Sequence, residues 1–201
     1  MDEPVRVDGR TARGQRTRSA VVDALLALQE EGDLEPTAQR VAARAGVALR
    51  TVFGHFSDME TLWAQAGERE LAKIAALADV PPADLPREER VERFCASRAR
   101  VLEAVLPVLR AARLREHASA ALRRNREIFA AAGDAEVRAV FAAELAPLDE
   151  AEQALVLSAF HVVAGGQAWE LLRCQRGYDV EGAAEVLRRT VARMVPTTGQ
   201  P

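Results

Sequence analysis

Apolar residues recur every three or four positions through most of the chain and nowhere alternate with period two over the length of a strand, so every predicted element is a helix. Val21, Val22, Leu25, Leu26 and Leu28 form a stripe that predicts a helix over residues 15–31, closed by Gly32. Two short helices follow, over 38–45 and 48–55, with Val41, Ala42, Val47, Val52 and Phe56 on their buried side. Leu62, Trp63, Leu71, Ile74 and Leu77 mark a fourth helix, which ends before Val80, Pro81 and Pro82. Beyond Pro86 the pattern predicts helices over 87–105, 107–116, 119–145, 149–175 and 179–195.

Capping and breaking residues punctuate this pattern. Thr37 is placed to accept from a free N–H of the first turn behind it, and Pro36 discourages helix from arriving from upstream. Ser57 and Glu60 have capping-box spacing, and Asp179 is placed to cap the last helix. Pro107 is expected at a helix start, where its missing N–H costs nothing, and Gly133-Asp134 is a candidate break within 119–145. Gly165 and Gly166 in mid-helix cost about 1 kcal/mol each relative to alanine unless they permit a close helix crossing.

Within the short pair, Ala42, Gly46 and Val52 have helix-turn-helix spacing: a small residue at the crossing, one tolerant of positive φ in the turn, and an apolar anchor on the second helix. Residues 37–56 carry Arg40, Arg44 and Arg50 and no acid, in a chain of formal net charge −3. Such a local reversal of sign suits a phosphate-facing surface. On spacing alone, a helical hairpin with three solvated arginines is the alternative. Arg10, Arg13, Arg16 and Arg18 precede the first acid of helix 1, Asp23, and form either a basic arm for DNA or a solvated tail.

Composition narrows the function further. The 201 residues, 49% of them hydrophobic, suffice for a small domain and a larger one, with no uncharged run of about 20 apolar residues to cross a membrane and no signal-peptide pattern. Cys95 and Cys174 lie far apart in sequence and are expected as reduced core or half-buried residues of a cytoplasmic protein. His55, His117 and His161 lack metal-ligand spacing, and neither a nucleotide-binding glycine loop nor a Gly-x-Ser-x-Gly motif occurs. The expectation is a protein that is not an enzyme and has no metal or cofactor.

Residues 51–62, Thr-Val-Phe-Gly-His-Phe-Ser-Asp-Met-Glu-Thr-Leu, resemble the signature that follows the turn in the tetracycline-repressor (TetR) family of bacterial transcription regulators. The resemblance is strongest over residues 16–62, with a weaker echo from Trp169 to Arg173. It implies an all-α protein: an N-terminal tail (1–12, expected to be disordered), a three-helix helix-turn-helix DNA-binding domain (13–57), a larger helical ligand-binding and dimerisation domain (58–196) and a C-terminal tail (197–201). On the second motif helix, from Ala48 to His55, it places Leu49 and Arg50 toward base edges and Thr51, Phe53 and His55 toward phosphates of a double-stranded operator. Thr37 and Arg44 would stand beside phosphates on the first, Arg44 alternatively on a solvated face. Phe53 departs from the family's tyrosine and Met59 from its lysine, losing a hydroxyl and a charge.

The resemblance also implies a small-molecule effector held among the helices after the fourth, where Phe94, Arg98, Asn125, Phe129, His161 and Trp169 are candidates. Val180, Ala184, Leu187, Val191 and Met194 form an apolar seam on the last helix, while Leu155, Phe160 and Val163 belong to a helix apolar on more than one face. These residues suggest the four-helix interface of a homodimer, the alternative being that both helices finish the monomer's core. The expected protein is a ligand-responsive, homodimeric repressor. A helical ligand-binding or protein-interaction module of the same fold, with weak or lost DNA binding, is the second reading.

Overall fold

In the computed structural model, which describes residues 9–196, ten α-helices follow one another and no strand occurs among the described residues. They are α1 (Gly9–Glu30), α2 (Ala38–Arg44), α3 (Leu49–His55), α4 (Met59–Leu77), α5 (Arg87–Arg115), α6 (Ala120–Val140), α7 (Ala142–Leu145), α8 (Glu150–Val163), α9 (Gly166–Glu170) and α10 (Val180–Met194). Helix α1 begins six residues before the predicted start, so residues 9–12 are helical rather than part of a tail. The rest of the expected N-terminal tail and all of the C-terminal one lie outside the described residues.

Two compact units emerge. The first runs up to Glu70 and takes in Pro107–Asn125; the second comprises Leu71–Leu106 and the chain from Arg126 onward. The division therefore does not fall at residue 57, as the sequence suggested, but within α4, α5 and α6.

The core of the first unit is the predicted one. Val21, Val22, Leu25 and Leu28 of α1 meet Val41 and Ala42 of α2, Val52 of α3, Phe56, and Leu62 and Ala66 of α4, all buried. Met59 packs partly buried against this cluster, which explains an apolar residue where the family signature has a lysine. The Ser57–Glu60 capping box does not form. Asp58 accepts from the Thr61 N–H at 2.8 Å and the Thr61 hydroxyl at 2.9 Å, bonds that hold its carboxyl below the usual range. Glu60 instead accepts from the Ser119 hydroxyl and the Ala121 N–H, both at 3.0 Å, capping the start of α6 from a distant element.

The second unit is built on Phe94, Phe141 and Phe160, whose ring centroids lie 5.3–5.6 Å apart, and on Val91, Val137, Val140, Leu157, Leu187 and Val191 around them. Beside them the Arg90 and Glu144 side chains, 5% and 1% exposed, form a two-point ion pair at 2.5 and 2.8 Å. Arg90 also donates to the Val140 and Leu85 carbonyls. The bond from Arg90 lowers the Glu144 pKa, and the pair is satisfied well enough to stay charged in an apolar setting. Cys95 is buried, its thiol pushed up to about 12 by desolvation, whereas Cys174 is exposed rather than half-buried.

Three predicted breaks moved. Pro107 lies inside a continuous α5 and not at a helix start, so the helix forgoes one hydrogen bond where Val105, Leu106 and Ala111 are buried around it. Gly133-Asp134 does not interrupt α6; the interruption comes at Phe141, whose buried ring takes part in the aromatic core while its backbone leaves the helical region (φ −112, ψ 29). The stretch Glu150–Gln175 is long and apolar enough to pass as a membrane span, with a mean hydropathy of 1.3 in its most apolar window. It is not one helix, however: it divides at Ala164 and Gly165, and after α9 it widens into an i→i+5 turn closed by the Arg176 N–H on the Leu171 carbonyl. A Cβ on Gly165 would lie 2.3 Å from the His161 carbonyl oxygen, so this glycine serves the break rather than a helix crossing.

Candidate DNA-binding interface

The α2–α3 pair has the geometry its spacing requires. Thr37 caps α2, its hydroxyl accepting from the Arg40 N–H at 3.3 Å. The turn passes through Gly46 at φ +68 and is closed by the Val47 N–H on the Ala42 carbonyl at 3.0 Å. Val52 and Phe56, each 1% exposed, then fix α3 to the core. At about 100° per residue, Arg50 and Gly54 come out nearly opposite Val52. Leu49 and Phe53 share one flank, and Thr51 and His55 the other. Burial agrees: Leu49, Arg50, Phe53 and Gly54 are exposed, Thr51 and His55 half-buried.

The arginines divide into two kinds. Arg40 pairs at 2.9 Å with Asp33, whose side chain is largely buried, and Arg44 at 2.5 Å with the exposed Glu31, so both arginines are engaged in ion pairs next to α2, and Arg44 takes its alternative place on a solvated face. Arg13, Arg16 and Arg50 are exposed and have no ion pair with any described residue, and Ala48 is exposed just before α3. Of Arg10 only the backbone is described.

Arg18 is not a free cation of the arm. Its guanidinium donates to the His55 carbonyl at 2.8 Å and to Gln65 Oε1, and lies 4.6 Å from the Phe56 ring centroid. It clamps the end of α3 to α1 and α4. Arg18→Ala is expected to lower unfolding free energy by about 2–3 kcal/mol, read by urea denaturation, without changing how DNA affinity depends on salt. Unchanged stability with a shallower salt slope would make it a phosphate contact after all.

The effector candidates stand in different surroundings. Phe94 is at the centre of the aromatic core; Arg98 pairs with Glu136 at 2.5 Å and sits over the Phe94 ring. Burial raises the Glu136 pKa against the pull of Arg98. His161 pairs with Asp134 at 2.8 Å, and the Trp169 indole donates to Glu103 at 2.8 Å, beside Arg173. Phe129 is half-buried. Asn125 belongs to the first unit, where its amide donates to the Trp63 carbonyl at 3.1 Å and packs against Gly67, so it is a packing residue and leaves the effector group. A cavity of about 10 Å³ beside Trp63 and Arg115, also in the first unit, touches none of the six and is far too small for a drug-sized molecule.

The apolar seam of α10 also resolves. Leu187 and Val191, with Phe160 of α8, are at most 4% exposed within the protomer's own core, so they are not free for a partner. Val163, Ala184 and Met194 are half-buried, and Val180 is 39% exposed. The open apolar face lies on α8, where Leu155 and Val162, two turns apart, are 71% and 72% exposed.

No protein-family model matches the sequence, and no curated protein matches it. Solved structures do match its fold. A transcriptional regulator from Rhodococcus sp. Rha1 is 20% identical with a TM-score of 0.67, covering 90% of this chain and 95% of that one. A TetR-family member from Streptomyces coelicolor A3 is 22% identical with a TM-score of 0.61, over 90% and 99% of the two chains. The multidrug-binding protein EbrR, solved with imidazole, is 20% identical with a TM-score of 0.61 over the whole of both chains.

Proposed function

We propose that this chain, which has the fold of TetR-family regulators, is a ligand-responsive DNA-binding transcriptional regulator: a cytoplasmic homodimeric repressor released from its operator by a small molecule. The observation that carries the reading is the outer face of α3, where Arg50, without an ion pair among the described residues, stands on a helix held by Val52 and Phe56, in a stretch free of acids. Arg50 reads a guanine through O6 and N7, while Thr51 and His55 on one flank and Thr37 at the start of α2 hold phosphates. Arg13 and Arg16 add backbone charge. EbrR's multidrug binding supports an effector pocket in the second unit, near Arg98, Phe129, His161 and Trp169.

The second reading, a module of the same fold without useful DNA affinity, is favoured by the ion pairs of Arg40 and Arg44 and the inward turn of Arg18, which leave fewer cations for phosphate. A gel shift against the DNA flanking the protein's own gene separates the two. A retarded band displaced by unlabelled flanking DNA but not by bulk DNA supports the regulator. Equal displacement by both, or no band, supports the module.

The dimer surface in this proposal is the exposed face of α8, to which half-buried Val163 and, on α10, exposed Val180 and half-buried Ala184 and Met194 contribute. Leu155→Arg with Val162→Arg is expected to give folded monomers. Removing two large apolar side chains from each copy weakens association by on the order of a hundredfold or more. Light scattering at micromolar concentration reads the mass, and an unchanged dimer mass would move the interface elsewhere. The two α3 helices of the dimer are then expected to address half-sites about 34–36 Å apart or a multiple of it.

A further inference from the structure

The outer face of α3 carries two large apolar side chains that the fold does not use: Leu49 is 42% exposed and Phe53 47% exposed, one turn apart on the same flank. Phe53 has no hydroxyl to donate to a phosphate, and the groups that can hydrogen-bond, Thr51 and His55, lie on the opposite flank. Gly54 adds an independent sign. It is helical and outside the positive-φ glycines, and a methyl group placed on it would meet no atom within 4 Å. Neither its backbone nor its packing calls for glycine, although glycine within a helix is less favourable than alanine. The room left by its missing side chain is outside the protein, on the line that Arg50 shares.

A partner for this surface must offer negative charge and acceptors to Arg50, apolar groups close beside them, and close approach to the helix backbone. The major groove of DNA displays one apolar group among its base edges, the 5-methyl of thymine, and apolar side chains recognise it by contact. We propose that Leu49 and Phe53 form an apolar ridge that reads thymine methyl groups next to the guanine held by Arg50, with Gly54 giving the clearance that lets α3 seat deeply. The ridge rests on the DNA-binding reading above and adds to it a base preference: the operator half-site pairs a guanine with neighbouring thymine on the Leu49–Phe53 side. Phe53 thereby becomes a specificity residue and not a weakened phosphate contact.

The test uses the full-length protein and duplexes enriched by it from a random pool. Each thymidine of the enriched half-site is replaced in turn by deoxyuridine, which pairs identically and lacks only the methyl group. Losing one methyl contact is expected to weaken binding about fourfold, and about fifteenfold when both half-sites are changed. The loss should occur beside the guanine whose replacement Arg50→Ala no longer feels, and it should vanish in Phe53→Ala or Leu49→Ala. Gly54→Ala is expected to melt at a higher temperature yet bind at least tenfold more weakly. Deoxyuridine tolerated at every position, or penalties that persist in both alanine variants, would overturn the ridge, as would a Phe53→Tyr variant that gains affinity equally for all sequences. Failure to enrich any sequence would overturn the DNA-binding reading itself, and the ridge with it.

Discussion

Arg50→Ala is expected to cost about 1–3 kcal/mol per half-site, on the order of thirtyfold to ten-thousandfold for a dimer on its operator, and to relax base preference at one position of each half-site. The reason is geometric. Arg50 lies opposite the buried Val52 on α3, is exposed, and has no carboxylate among the described residues to compete with a guanine. If Arg16, exposed near the start of α1, pairs with phosphate as proposed, Arg16→Ala should weaken all sequences alike and make the slope of log affinity against log salt shallower by about one unit per contact. Binding over single-base operator variants at several salt concentrations reads both effects. If Arg50→Ala weakens every variant equally, Arg50 holds a phosphate and specificity comes from its neighbours on α3 or from DNA shape.

Leu187→Glu is expected to unfold the second unit and not merely to separate subunits. Leu187 is 2% exposed, packed in the cluster that holds Phe94, Phe141 and Phe160. Losing its packing costs about 2–5 kcal/mol, and an unpaired carboxylate in that setting adds several more. Typical domain stability is roughly 5–15 kcal/mol, so the variant should lose most of its cooperative thermal transition. Circular dichroism with light scattering reads fold and mass together. A fully folded monomer, the outcome expected of Leu155→Arg with Val162→Arg, would return Leu187 to a subunit interface.

The difference between those two substitutions marks the limit of periodicity. A stripe of leucine and valine every three or four residues says that α10 is a helix with one apolar face, and this is correct to within a residue at each end. It is silent on whether that face meets the same chain or a second copy, because both remove the same groups from water. The same holds for Arg18 and Arg44. Their charge was plain in the sequence, but what each one faces depends on His55, Gln65 and Glu31, brought near only by the packing of separate helices.

Local chemistry did determine a good deal. The Thr37 cap, the left-handed Gly46 and the Asp179 cap rest on interactions within a few residues, and each stands where its residue type required; the apolar anchors Val52 and Phe56 follow from the spacing of the motif. What only the tertiary structure decided are the choices in which a local rule was outbid. Pro107 stays inside α5 because flanking buried residues hold the helix together, Phe141 breaks α6 where its ring joins the aromatic core, and the Glu60 side chain caps α6 instead of its own helix. Each local preference is worth about 1–3 kcal/mol, and burial of a few large side chains or satisfaction of a distant helix end exceeds or matches it. For that reason the motif was legible residue by residue, while the domain boundary, the protomer core and the free face of α8 were not.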